Sequence, residues 1–134
     1  FLPSTRADGC TIQRSMLADG CLIQRSEIHH SVIGLRSVVA SDVTIHDTVT
    51  MGADWYETLE DKARNRAVSV PDLGIGAGCL IERAIIDKNA RIGKGVVIRD
   101  HRGDVDSEVE GQYAIRDGVV VVEKGALIPD GTII

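Results

Sequence analysis

Apolar residues in this chain come in short pairs rather than in stripes. A small residue, any residue and then an aliphatic one recur at Cys10/Ile12, Ser15/Leu17, Cys21/Ile23, Ser26/Ile28, Ser31/Ile33, Ser37/Val39 and Val43/Ile45. The aliphatic members advance by 5, 6, 5, 5, 6 and 6 residues. Within that run, DGCTIQRS at Asp8–Ser15 returns eleven residues later as DGCLIQRS, identical at seven of eight positions. The rule weakens at Thr48/Thr50, resumes at Ile75, Ile81, Ile86, Ile92 and Ile98, and finishes at Val122, Ile128 and Ile134, about sixteen steps in all. A helical stripe needs apolar residues three and four apart, so this spacing excludes helices, whereas strands of two or three residues satisfy it. With three strands per triangular coil, the pattern predicts an all-β fold: a parallel β-helix, or hexapeptide-repeat solenoid, of about five coils stacked about 4.8 Å apart.

Two stretches break the pattern and read as inserted loops, residues 51–73 and 99–116. The first holds the only Trp and a charged segment, Glu57 to Arg66, suited to a helical turn or two. Loops of this length on a solenoid are commonly functional or interfacial. Gly20, Gly34, Gly78, Gly93 and Gly95 fall near the expected corners, where a missing Cβ makes positive φ easy. The whole of 1–134 reads as a single β-helix domain, and its opening, FLPSTRADGC, has no initiator Met, as expected of a segment from a longer protein.

Composition narrows the function. Only 3% of residues are aromatic, which fits a thin interior of Val, Ile, Leu, Ala and Cys. A net charge of −5 argues against nucleic acid as a partner, and no apolar run approaches a membrane span. Cys10, Cys21 and Cys79 form no CxxC pair and read as reduced core thiols. His30 and His46 lie sixteen residues apart, about one coil, and are expected to stack, with His29 on the opposite side of its strand and His101 in the second loop. They supply no third metal ligand, and no catalytic motif nominates a nucleophile. Basic residues are more informative. Arg36, Lys88, Arg116 and Lys124 interrupt acidic or apolar surroundings, and such groups suit a small phosphate or carboxylate.

HHSVIGLRS, MGADWYE, GIGAGCLIERAIIDKNARIG and GVVVVEKGALIPDGTII, taken in order, resemble successive blocks of the carboxy-terminal domain of cyanobacterial and plant glucose-1-phosphate adenylyltransferases (ADP-glucose pyrophosphorylases). The acidic loop HRGDVDSEVEGQ departs from that family's pattern. The resemblance implies a left-handed β-helix from a cytoplasmic or plastid enzyme of glycogen and starch synthesis, with the catalytic nucleotidyltransferase domain as partner and tetramer subunits as further partners. It implies control by 3-phosphoglycerate and phosphate, with Lys88 and Lys124 as effector-binding residues; Arg36 and Arg116 are added on charge and position. No cofactor is expected in this domain, with Mg and ATP belonging to the catalytic domain, and this chain alone is expected to be inactive. A stand-alone acyltransferase and a passive oligomerisation solenoid are the alternatives.

Overall fold

The computed structural model describes residues 2–134, so Phe1, where the expected domain begins, lies outside the described residues. The first coil is β1 (Arg6–Asp8), β2 (Thr11–Gln13) and β3 (Met16–Leu17). The second is β4 (Leu22–Gln24), β5 (Glu27–His29) and β6 (Val32–Ile33), and the third β7 (Val38–Val39), β8 (Thr44–His46) and β9 (Val49–Thr50). An insertion carrying α1 (Leu59–Ala67) leads to the fourth coil: β10 (Gly74–Ile75), β11 (Leu80–Glu82) and β12 (Ala84–Ile86). The fifth begins with β13 (Arg91–Ile92) and β14 (Val97–Ile98). It leaves the prism through the hairpin strands β15 (Ser107–Val109) and β16 (Tyr113–Arg116) and closes with β17 (Val119–Val122). A partial sixth coil holds β18 (Leu127–Ile128) and a bridge from Val97 to Ile133. Equivalent strands pair in parallel to make three sheets, as the spacing predicts; only the hairpin pairs antiparallel, covering the last strand of the third sheet.

Register explains the sequence rule. Ile12, Ile28, Ile45, Ile81 and Ile98 lie level on the second sheet and point inward as one column. Ile23, Val39, Ile75, Ile92 and Ile128 make the matching column on the first sheet, and Ile33, Thr50, Ile86 and Val122 that of the third. Burying each Ile contributes about 1.5–3 kcal/mol. The small residue two positions earlier has a polar task as well as a steric one. Ser15 Oγ accepts from the amide of Ser31 (3.1 Å), Ser31 Oγ from Thr48 (3.1 Å) and Thr48 Oγ1 from Ala84 (3.3 Å). Each hydroxyl donates in turn, at 2.8 Å, to the carbonyl two residues before it. A hydroxyl ladder therefore satisfies amides that the tight corner turns away from the strand ladder. Burial pushes the thiols of Cys21 and Cys79 up, which keeps them in the unreactive protonated form.

The corners differ from the glycine expectation. One corner uses left-handed residues with side chains instead: Arg14, His30, Asp47 and Arg83 follow one another between the second and third sheets. The amides of His30, Asp47 and Arg83 bond the coil beneath at 3.0–3.2 Å, which offsets the strain of positive φ. Gly20, Gly78 and Gly95 do have positive φ, but Gly34 and Gly93 do not. Those two end strands where the next coil presses close, and a Cβ on Gly34 would lie 2.5 Å from the carbonyl carbon of Met51.

Replacing Ser31 with Ala orphans the buried Thr48 amide and should destabilise the domain by about 1–3 kcal/mol. Ser41→Ala removes only an exposed hydroxyl contact to Gln24 and should be near neutral. Urea denaturation of the two variants checks the difference, and equal midpoints would remove the ladder's energetic role.

Candidate functional site

The corner where the third sheet turns into the first collects most of the basic candidates. The register that pairs Ile86 with Val122 and Arg91 with Leu127 sets Lys88 level with Lys124, and the amide of Gly125 bonds the carbonyl of Lys88 at 2.9 Å. Asn89, beside Lys88, takes the left-handed conformation that turns the corner, and its amide bonds Gly52 at 3.1 Å. This holds the start of the first insertion against the same corner. Asp54 follows and is gripped from two sides: Lys88 Nζ donates to it at 3.0 Å and Asn89 Nδ2 at 3.0 Å. The Asp54 amide returns a bond to Asn89 Oδ1 at 2.9 Å. The hydrogen bond from Asn89, then that from Lys88, hold the Asp54 carboxyl below the usual range, and the charges of Lys88 and Lys124 act in the same direction. Lys88 thus pairs with one solvent-exposed carboxylate, and Lys124 follows Lys88 on the next coil.

Arg36 lies lower on this corner, and its Nη1 donates to the carbonyl of Ala53 at 3.2 Å, so it braces the backbone that presents Asp54. Arg116 is brought elsewhere. It pairs with Val119 at the end of β17 remote from Lys124, where its guanidinium donates to the carbonyl of Ser107 at 2.8 Å and lies 3.5 Å from Glu108. Three of the four basic candidates share an edge and the fourth closes the hairpin.

A family model described as the GLGC left-handed parallel β-helix domain matches residues 1–133. The chain belongs to this family. The match is to the carboxy-terminal domain of glucose-1-phosphate adenylyltransferase, as the sequence blocks imply. It also makes the solenoid left-handed, against the right-handed habit of most parallel crossovers.

Within this GLGC-type β-helix, residues that sequence reasoning passed over hold the first insertion in place. Glu57, with its side chain 4% exposed, receives Arg91 Nη1 at 2.9 Å, Asn65 Nδ2 at 2.8 Å and the Leu73 amide at 2.6 Å. Its burial alone would raise the carboxyl, but these hydrogen bonds and the Arg91 charge outweigh it and leave the carboxyl below its ordinary value. One carboxylate thereby ties the start, middle and end of the insertion to the fifth coil. The helix itself begins on a capping box between Thr58 and Asp61. The signal for this anchor was an acid at the end of MGADWYE and a base in DKNARIG, but nothing in the repeat pairs them.

The histidines correct the stacking expectation. His46 is level with His29, and their ring centroids are 4.8 Å apart on the outer face of the second sheet. His30 turns the corner instead and bonds Asp47 at 2.7 Å. The first sheet pairs Ile23 with Val39 while the second pairs Ile28 with Ile45, so the intervening corner has gained one residue and shifted the register. Among the described residues, no group of three His, Cys, Asp or Glu is placed to hold a metal ion.

Because folding lowers the Glu57 pKa, its stabilising effect is fully present above the unfolded value of about 4.3 and is lost as pH falls through the lower folded value. Amide hydrogen exchange should therefore show 59–67 losing protection in acid before the coils do, and Glu57→Gln should show the same local loss at pH 7. Full protection of 59–67 in that variant would remove the anchor role.

Proposed function

We propose that this β-helix is the regulatory and assembly region of a glucose-1-phosphate adenylyltransferase, the enzyme that makes ADP-glucose and pyrophosphate from ATP and glucose 1-phosphate for glycogen or starch. The corner between the third and first sheets is its effector site, and 3-phosphoglycerate and phosphate are the effectors. The observation that carries this reading is the level placement of Lys88 and Lys124 on successive coils, with Asp54 bonded to Lys88. Without effector, Asp54 occupies Lys88 as an internal anion. A phosphorylated effector offers more acceptor oxygens and a larger charge, so it competes with Asp54 for Lys88 and engages Lys124 as well. Arg36 serves the site through the 52–54 backbone rather than by touching the anion.

Competition for Lys88 removes one of the contacts that hold the start of the insertion, while those from Asn89 and Arg36 remain, so the mechanical consequence of binding is a loosened insertion. For this to change activity, the effector must bind one arrangement of the β-helix and the catalytic domain better than another. The assembly role has separate support. Met16, Val32, Val49 and Ile85 lie level on successive coils and remain exposed, 70% for Met16 and about 40% for the others, forming an aliphatic strip on the outer face of the third sheet. Such a strip suits a subunit contact.

The test uses the full-length enzyme. Lys88→Ala and Lys124→Ala should each raise the 3-phosphoglycerate concentration for half-maximal activation about tenfold or more, the loss of one charged hydrogen bond. Asp54→Asn should lower it by removing the competitor. Unchanged activation in both lysine variants would sink the effector reading and leave a passive assembly role.

A further inference from the structure

A second site lies on the outside of the first sheet. The first insertion arches over that face and encloses a groove of about 840 Å³, within the range of small-molecule sites. Its floor is the outward side of the sheet, Leu22, Val38, Ala40 and Gly76, and its wall is Trp55, Tyr56, Val70 and Pro71. The space exists because α1 does not pack down. None of its nine residues is buried, and the insertion is held by Glu57 at its root rather than by an apolar helix face. Tyr56 is fixed by donating its hydroxyl to the carbonyl of Gly20 at 2.7 Å, whereas the neighbouring Trp55 is 46% exposed and free to receive a flat ligand.

Charge narrows the occupant. Lys62 and Arg66, one turn apart on α1, and Lys94 from the opposite side line the groove, and none of the three makes a side-chain ion pair or hydrogen bond among the described residues. Its acids are engaged: Glu57 by Arg91, Asp72 by Asn65 at 3.0 Å, and Asp130 by the amide of Lys94 at 2.8 Å. The free donors are cationic, yet Asp72 and Asp130 still carry charge that would repel a polyanion. We infer that the groove binds a small amphipathic organic anion, with a flat apolar body against Trp55 and the sheet and a single anionic group on Lys62 and Arg66. A phosphorylated sugar acid has no apolar body and fits the lysine corner instead, so the two sites take different ligands.

Trp55 is the only tryptophan of these 134 residues, so its emission in this β-helix responds to a probe bound in the groove. The probe is 8-anilino-1-naphthalenesulfonate, a monoanion with a flat apolar body. It should quench Trp55 saturably at one site with a Kd of about 10–100 μM, an ordinary efficiency for about twenty heavy atoms. Lys62→Gln combined with Arg66→Gln, both on an exposed helix, should weaken it about tenfold with unchanged circular dichroism, and inorganic sulfate should not displace it. Lys88→Ala should leave probe binding unchanged, which separates failure here from failure of the effector reading. Absence of saturable quenching, as would follow if another protein segment or a second copy filled the groove, overturns the proposal. So does wild-type affinity in the double variant.

Discussion

The width of the triangular interior is the constraint on which the rest depends. Three faces contribute one aliphatic and one small side chain each per coil, and there is no room for more. Any coil that strays from this ration either leaves a void or pushes its neighbour's strand out of pairing. The chain therefore returns to the same columns even after it has left the prism, as when Thr50 is followed across the first insertion by Ile86 on the next coil. The small positions add a polar requirement that size alone does not express. Ser15, Ser31 and Thr48 accept the amides of the coil above, and the ladder ends at Ala84, beyond which the Val120 amide reaches the carbonyl of Arg83 directly.

Level stacking converts sequence distance into chemistry. Lys88 and Lys124 become neighbours because the fifth coil spends its extra length in a hairpin and then rejoins the columns in register. Asp54 meets Lys88 because the first insertion leaves from the corner at which Lys88 later turns. The lysine corner lies on a stacked edge, and the first insertion closes on it through Asp54.

The same insertion serves two surfaces. Its first residues close on the lysine corner through Asp54, and its middle stands over the first sheet through Glu57 and α1. A helix with no buried residue is held by its capping box and by Asn65, so few interactions govern its position. Membership of the GLGC β-helix family accounts for the prism and its hand, while the placement of these charged side chains follows from how the first insertion meets the coils.

The amino-acid sequence by itself determined the solenoid, its parallel strands and the membership of each inward column, because those follow from a short-range period that every coil repeats. It also marked the two departures from the prism and four basic residues, three of which share one edge. Tertiary structure alone decided the partners. Asp54 lies 35 residues from Asn89, and Glu57 lies 34 from Arg91, so no local rule couples them. The same reason explains the histidines: one added residue at a corner replaced His30 with His29 beside His46, a register choice made by the packing of whole coils. Arg116 was separated from the lysines by the hairpin, whose antiparallel course the repeat does not encode.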